Sequence, residues 1–261
     1  MRRVRSRPAF IEGAPMSQSS DKIAIVTGSS RGIGADIAVR LAHDGFKVVV
    51  NYASNAAPAE EVVARIRQAG GDALLVKADI ADPAATIAMF DAAEKAYGGV
   101  DVVVNSAGVM LQARIAEFDD ATFDRAVAIN FKGAFNVCRE AARRVRDGGR
   151  IMNLTTSVTG VRLPTYAVYI ATKCAVEGLT QVLAQELRGR RISVNAVAPG
   201  PVATELFLAG KSPELIERME KMNPMERLGQ PEDISAVVAF LASPQGGWIN
   251  GQVVRANGGM C

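Results

Sequence analysis

The chain has 261 residues, a length that fits one large α/β domain and is short for two full domains. Hydrophobic residues make up 49% and charged residues 22% of the sequence, as in an ordinary globular protein. The formal net charge of +3 lies entirely within residues 1–20, which hold four arginines and one glutamate. The rest of the chain is formally neutral, which argues against a nucleic-acid-binding surface.

Residues 1–20 are predicted to form a disordered N-terminal extension, because they are basic, contain two prolines and lack a periodic apolar face. They also lack the apolar core of a secretory signal, and Met16 is an alternative start of the protein. The sequence has no run of 18 apolar residues and so predicts no membrane span. The odd, sparse cysteines Cys138, Cys174 and Cys261 predict reduced thiols in a cytoplasmic protein and no metal site.

Apolar runs that fit strands alternate with segments of helical period along the chain. We predict strands at 22–27, 47–51, 73–77, 100–104, 150–155, 191–196 and 252–255. We predict helices near 33–44, 57–69, 83–97, 119–146, 168–188 and 231–242. Parallel strands need crossover connections, so this alternation predicts one doubly wound α/β domain over residues 21–261. Its seven-stranded parallel sheet is expected to carry helices on both faces.

The first predicted strand runs into TGSSRGIG, residues 27–34, and then into a helix. Glycines at this point let the chain turn tightly and let a pyrophosphate approach the positive end of the helix. The position directly after the first strand strengthens the case for dinucleotide binding. The candidate cofactor contacts in this loop are Gly28, Ser30, Arg31, Gly32, Ile33 and Gly34.

The second predicted strand ends in Asn51-Tyr52-Ala53-Ser54, without the carboxylate that a fold preferring NAD carries at this point. The planar guanidinium of Arg31 would suit a 2′-phosphate, and a solvent-facing loop charge is the alternative role for it. Asn51, Tyr52 and Ser54 are further candidate contacts. We therefore expect the cofactor to be NADP(H).

Tyr169 and Lys173 are four residues apart in a helical segment and so share one face. Ser157 follows a predicted strand twelve residues upstream, and Asn130 lies in the preceding helix. A carbonyl that accepts a hydride must also gain a proton, which a tyrosine can supply. A nearby lysine cation lowers the pKa of a tyrosine from its ordinary value near 10, so we expect a lowered pKa for Tyr169. The hydroxyl of Thr156 is the alternative to that of Ser157.

TGSSRGIG resembles the glycine motif of the short-chain dehydrogenase/reductase family, and further motifs follow in that family's order. They are Ala78-Asp79-Ile80, Asn105-Ser106-Ala107-Gly108, Asn130, Ser157, the YxxxK pair Tyr169 and Lys173, and Pro199-Gly200. Ser106 departs from the family's second asparagine. The resemblance covers residues 21–261 and implies a Rossmann-like fold with carbonyl–alcohol redox chemistry.

The resemblance also implies a role for each matched residue. Asp79 and Ile80 would lie at the adenine, and Lys173 would bind the nicotinamide ribose as well as tune Tyr169. Ser157 would hold the substrate oxygen, and Asn130 would link Lys173 to a water chain. The remaining cofactor contacts would be Asn105, Ala107, Gly108, Pro199, Gly200, Val202 and Thr204, with a lid over the nicotinamide after residue 200.

Several segments, among them VVVNYAS and NFKGAFNVCREA, are most like the 3-oxoacyl-acyl-carrier-protein reductase branch and its glucose dehydrogenase neighbours. Such relatives imply a homotetramer. Arg125, Lys132, Arg139 and Arg143 could form a basic patch for an acyl carrier, but a solvated helix face explains them as well. We expect a reductase of small-molecule carbonyl compounds; the alternatives are an alcohol or sugar dehydrogenase and a nucleotide-sensing protein without catalysis.

Overall fold

Seven parallel strands pair into one sheet in the order β3-β2-β1-β4-β5-β6-β7. The computed structural model describes residues 22–261, so the predicted extension at residues 1–20 lies outside the described residues. The strands are β1 (Ile23–Thr27), β2 (Lys47–Tyr52), β3 (Ala73–Lys77), β4 (Val100–Asn105), β5 (Val145–Leu154), β6 (Ser193–Pro199) and β7 (Val253–Ala256). The predicted fold class, a doubly wound α/β domain, is confirmed.

Helices cover both faces of this sheet. They are α1 (Gly32–His43), α2 (Ala57–Gln68), α3 (Pro83–Tyr97), α4 (Asp120–Val127), α5 (Ala134–Arg144), α6 (Val158–Val161), α7 (Ala167–Glu186), α8 (Glu205–Leu208), α9 (Pro213–Glu220) and α10 (Pro231–Ala242). Successive residues of β1 point to opposite faces. Val26 therefore joins the apolar cluster that contains α1, α2 and α10, and Ile25 joins the cluster that contains α3, α5 and α7.

The order of the strands reverses direction at β1, which pairs with β2 on one side and with β4 on the other. The chain therefore leaves β1 and β4 towards opposite faces of the sheet and opens a crevice beyond their carboxyl ends. Ligands of open α/β sheets bind at such a switch point. The glycine loop after β1 and the motif after β4 both lie at this edge.

The predicted helix over 119–146 is correct in place but not uniform in structure. A π-helical segment, Ala128–Gly133, lies between α4 and α5. Its cause is Asn130, whose buried side chain leaves the helix to bond the backbone of Val109 twice, at 2.8 Å each. Pattern analysis also missed the short helices α6, α8 and α9, and it began β5 five residues too late.

A chain of buried side-chain hydrogen bonds crosses the middle of the sheet. Thr27 of β1 donates to Asn105 of β4 at 3.0 Å, and Asn105 donates to Asn153 of β5 at 3.2 Å. Asn153 in turn donates to the Thr180 hydroxyl of α7 at 2.9 Å. Each of these side chains is at most 4% exposed. We call Thr27, Asn105, Asn153 and Thr180 the polar chain; it ties three strands to the helix that carries Tyr169.

We expect Thr180→Val to lower the free energy of unfolding by about 1–3 kcal/mol, because the valine leaves the buried amide of Asn153 without an acceptor. Denaturation in urea measures the change. Thr86→Val is the matched control: Thr86 is equally buried, but its hydroxyl only donates to carbonyls of Ile80 and Asp82. Thr86→Val should lower the free energy of unfolding by less than Thr180→Val does. Equal losses in the two variants would contradict a special role for the polar chain.

Candidate active site

At the switch point, the loop between β1 and α1 packs on the segment after β4 and is hydrogen-bonded to β1. Gly28 has φ +62°, and a Cβ on it would lie 2.6 Å from the Cα of Ala107, so only glycine permits this approach. Ser29, which sequence analysis did not single out, is fully buried and donates its hydroxyl to the backbone of β1 at 2.7 Å. The predicted contact Ser30 is half-buried and Arg31 is exposed, so both remain accessible to a ligand.

The first turn of α1, with Gly32, Ile33 and Gly34, presents backbone N–H groups that no side chain caps. Arg31 occupies the N-cap position without a side-chain capping bond, and the first turn contains no acidic residue. Uncapped N–H groups and the positive end of the helix dipole favour an anion. These residues fit the pyrophosphate of a dinucleotide.

Arg31 lies beside a polar cleft of about 290 Å³ between the glycine loop, α2 and the start of α10. Its guanidinium is 3.8 Å from the carboxylate of Glu205, and both side chains are at least 70% exposed. An exposed pair at this distance contributes little, so Arg31 is free to exchange Glu205 for a phosphate. Arg65 of α2 lines the same cleft and was not among the predicted contacts.

Asn51 is a structural residue in this fold, in contrast to the expected cofactor donor. It is 1% exposed, and its Oδ1 accepts from Gly28 N at 3.1 Å. Its Nδ2 donates to the carbonyls of Ala78 at 3.0 Å and Val76 at 3.3 Å. The amide is therefore used in joining β2 and β3 to the glycine loop and offers no donor to a ligand. The other two candidates at the end of β2, half-buried Tyr52 and exposed Ser54, remain accessible to a ligand.

The segments after β3 and β4 reach the same edge of the sheet. Asp79 is exposed, and its Oδ1 accepts from Ala81 N at 2.9 Å, whereas Ile80 is buried. Asn105 is committed to the polar chain, so its amide positions the loop and does not face a ligand. Gly108 is exposed, and a Cβ on it would lie near Asn130 and Lys173, two other predicted site residues.

Asn130 and Lys173 face each other across Gly108. A Cβ on Gly108 would be 3.2 Å from the Oδ1 of Asn130 and 3.4 Å from the Nζ of Lys173. Asn130 also donates to the hydroxyl of Thr172 at 3.3 Å. The π-helical distortion thus delivers Asn130 to α7 next to Lys173, and such distortions are frequent at functional sites.

Tyr169 and Lys173 lie one helical turn apart on α7 and face one another, as predicted. The Nζ of Lys173 is 5.9 Å from the centre of the Tyr169 ring and donates to the carbonyl of Leu154 at 2.8 Å. Tyr166 packs edge-on against Tyr169, with ring centres 6.4 Å apart. The lysine thus contacts the main chain of β5 and lies near the ring of Tyr169.

Burial moves the pKa values of this pair in opposite directions. It raises the pKa of Tyr169 to about 12, against a smaller lowering by the hydrogen bond with Thr156. It lowers the pKa of Lys173 to about 8. The expected lowering of the Tyr169 pKa is therefore wrong for this structure: loss of hydration dominates, and Lys173 donates to the carbonyl of Leu154 instead. The phenol stays protonated at neutral pH.

Two neighbouring hydroxyls compete for the role predicted for Ser157. The Ser157 hydroxyl is fully buried and donates to the carbonyl of Ala198 at 2.9 Å. Since a serine hydroxyl has one proton, Ser157 must rotate before it can donate to a substrate oxygen. Thr156, the predicted alternative, is the residue whose side chain bonds Tyr169.

The segment after β6 closes over the glycine loop. Pro199 is buried, Gly200 is half-buried, and Val202 is buried and forms a bridge with Gly229. The Cγ2 of Thr204 would be 3.5 Å from a Cβ on Gly32, so this predicted contact does lie against the glycine loop. We call residues 201–228, which include α8 and α9, the lid.

Two further features concern the described part of the chain. Residues 22–261 contain no group of three or more His, Cys, Asp or Glu that could hold a metal ion, and the three cysteines are free. None of the helices in this part is long and apolar enough to cross a membrane.

Comparison with known proteins matches this geometry over nearly the whole chain. The family model described as Enoyl-(Acyl carrier protein) reductase matches residues 28–261. A short-chain type dehydrogenase/reductase of Picea abies is 50% identical over 248 residues, covering 91% of this chain and 92% of that protein. A chloroplastic NADPH-dependent aldehyde reductase-like protein of Arabidopsis thaliana is 44% identical, covering 91% and 93%.

A solved structure also matches over nearly the whole chain. The short chain dehydrogenase of Burkholderia cenocepacia in complex with NADP superposes with a TM-score of 0.87 at 35% identity, covering 92% of this chain and 97% of that one. The fold and the uncapped loop define a dinucleotide-dependent oxidoreductase. The chain belongs to the short-chain dehydrogenase/reductase family, and its cofactor is NADP(H).

We expect Arg31→Ala to weaken NADPH binding by about 1–3 kcal/mol, the scale of a lost charge-assisted hydrogen bond, and to leave NADH binding nearly unchanged. Titration of cofactor fluorescence measures both affinities. Arg40→Ala is the matched control, because it removes an exposed arginine of α1 that pairs with Asp44 away from the loop. A loss of NADPH affinity as large in the control would reveal a general charge effect in place of a phosphate contact.

Proposed function

We propose that this enzyme reduces the carbonyl of a small aldehyde or ketone to an alcohol, with Tyr169 as the proton donor. The observation that carries the proposal is the placement of Tyr169 beside Lys173 on α7, with Lys173 and Asn130 meeting at Gly108, at the edge where the uncapped α1 would hold the cofactor. NADPH, when bound, supplies the hydride. The chain's own residues supply the proton, the path along which that proton is replaced, and the hydrogen bonds to the substrate oxygen.

The raised pKa of Tyr169 supports reduction over alcohol oxidation. A proton donor must be protonated when the substrate arrives, and a pKa of about 12 keeps the phenol so at any ordinary pH. The reverse reaction needs the phenolate, which burial disfavours. A dehydrogenase of alcohols or sugars is therefore the weaker alternative.

The hydroxyls of Thr156 and Ser157 would stabilise charge that develops on the substrate oxygen. Thr156 already bonds Tyr169, and Ser157 follows at the start of α6. Donors aimed at such an oxygen are worth more in a site that excludes water. After Tyr169 gives up its proton, the ammonium of Lys173 would stabilise the phenolate, and Asn130 would hold the Lys173 end of the proton path.

A free small-molecule substrate fits the surface better than a carrier-bound acyl group. Arg139 and Arg143 both pair with the buried carboxylate of Glu140, at 3.5 Å and 2.9 Å, so two of the four candidate cations already have an ion-pair partner within the chain. Specificity for 3-oxoacyl-acyl-carrier-protein substrates is thus the second choice. A cleft of about 460 Å³, lined by residues 113–115, 162–165, Ala167 and Ile170, offers room beside α7 for a mostly apolar substrate.

We also propose a homotetramer, because the chain exposes apolar side chains on two separate surfaces. Phe131, Phe135 and Val182 form one surface on the π-helical segment, α5 and α7, and Val182 is 57% exposed. Phe240 and Trp248, which is 98% exposed, form the other beside β7. Apolar patches of this kind mark interfaces, and two different patches suit a tetramer with two kinds of contact.

The cellular setting and the domain limits follow as proposals. Three free thiols suit a reducing compartment such as the cytoplasm, although the Arabidopsis relative is chloroplastic. We propose that residues 21–261 form a single catalytic domain and that residues 1–20 are an extension outside it.

We expect Tyr169→Phe to reduce turnover by about 10²–10⁴-fold across a panel of aldehydes and ketones, while NADPH affinity is retained. Phenylalanine keeps the ring and loses only the oxygen that donates the proton. NADPH consumption and cofactor titration measure the two effects. Tyr166→Phe, which removes a neighbouring phenol from the same helix end, should stay active. Near-normal activity of Tyr169→Phe would refute the mechanism.

We expect the kcat/KM of carbonyl reduction to be constant at about pH 6–7 and to fall above about pH 8. The ammonium of Lys173 is present below its pKa of about 8 and is lost as the pH rises through that value. Tyr169 remains protonated over the whole range and adds no second step. Initial rates in a series of buffers measure the profile. The residual activity of Lys173→Ala should lack the decline; if it keeps the decline, another group causes it.

A further inference from the structure

The segment Asn257–Cys261 follows β7 and has a shape set by one side chain. The Oδ1 of Asn257 accepts from the backbone N–H groups of Gly259 at 3.0 Å and Met260 at 3.3 Å. Its Nδ2 donates to the carbonyl of Cys261 at 3.3 Å. Three main-chain groups of the next four residues are thus satisfied by Asn257, which folds the segment into a compact turn.

One side of this turn packs directly on the lid. Gly258 has φ +65°, and a Cβ on it would lie 2.6 Å from the Oδ1 of Asn223. A Cβ on Gly259 would lie 3.2 Å from the ring of Pro224. Asn223 is buried, and its amide bonds three backbone groups of residues 220–227. The segment therefore contacts the residue that holds the end of the lid together.

The other side of the turn reaches the loop that carries Ser157. The Sγ of Cys261 donates to the carbonyl of Ser157 at 3.3 Å, and a Cβ on Gly160 would lie 2.8 Å from the same sulfur. Asn257 itself packs on Gly200, where a Cβ would be 2.8 Å from the Cα of Asn257. The five residues thus touch the lid, the end of β6 and α6.

We propose that Asn257–Cys261 is a positioning segment that couples the lid to the Ser157 loop and so sets the fit of the carbonyl substrate. Asn257 is its organising residue and acts through the others. The lid and the Ser157 loop come from different parts of the chain. Each contacts the segment at a glycine where a Cβ would not fit, so a shift of either one displaces the segment. The proposal rests on carbonyl reduction at Tyr169 as the function of the site.

The first test compares Gly258→Ala with Gly189→Ala. Both glycines have positive φ, +65° and +89°, but a Cβ on Gly189 meets nothing within 4 Å. Gly258→Ala should lower kcat/KM for the carbonyl by about tenfold, as expected for a small misplacement at an active site. The affinity for NADPH should match that of Gly189→Ala, and circular dichroism should show both variants folded at the assay temperature. Equal kcat/KM in the two variants would overturn the proposal.

The second test perturbs one end and observes the other by hydrogen exchange. Cys261→Ala removes the bond to the Ser157 carbonyl and should speed amide exchange in residues 223–227 of the lid as well as around Ser157. Cys261→Ser keeps a donor and should restore slow exchange at both ends. Faster exchange confined to the Ser157 loop would refute the coupling. This readout does not need turnover, so an inactive wild type would refute carbonyl reduction without affecting this test.

Discussion

The polar chain of Thr27, Asn105, Asn153 and Thr180 is the constraint on which the active-site geometry depends. A buried amide without partners costs more than its hydrogen bonds return, so the ends of β1, β4 and β5 can meet in one register only. Thr180 is seven residues, two helical turns, after Lys173 and therefore lies on the same side of α7. The bond from Asn153 to Thr180 fixes the rotation of α7 and with it the direction in which Lys173 and Tyr169 point.

Desolvation dominates the chemistry of the site that this register builds. Both Tyr169 and Lys173 lose hydration, which favours their neutral forms, so the pKa of Tyr169 rises and the pKa of Lys173 falls. Between about pH 8 and 12 both groups would be neutral, whereas at neutral pH the lysine is charged and the phenol is protonated. That combination suits proton donation, because Tyr169 carries its proton and the ammonium of Lys173, which stabilises the phenolate, is already in place.

Sequence patterns predicted most of the sheet because strands such as β1 are buried on both faces and read as apolar runs. They could not predict the π-helical segment, since its cause is a tertiary bond from Asn130 to a backbone far away in sequence. They also could not predict the role of Asn51. An asparagine at the end of β2 has the same donors and acceptors whether it meets a ligand or the backbone, and only packing decides between the two.

The misassigned Asn51 belongs to a wider arrangement at this edge of the sheet. Asn51 and Asn130 bond main-chain groups of a neighbouring segment with both ends of the amide, and Asn223 and Asn257 do the same within their own loops. Loops at strand ends leave backbone groups without ladder partners, and short amides satisfy them without adding charge. The first turn of α1 differs, because no side chain caps it. The backbone groups of the neighbouring loops are hydrogen-bonded within the protein, whereas the N–H groups of this turn are available to an anion. The cofactor phosphates are therefore expected at this turn and not at the other loops.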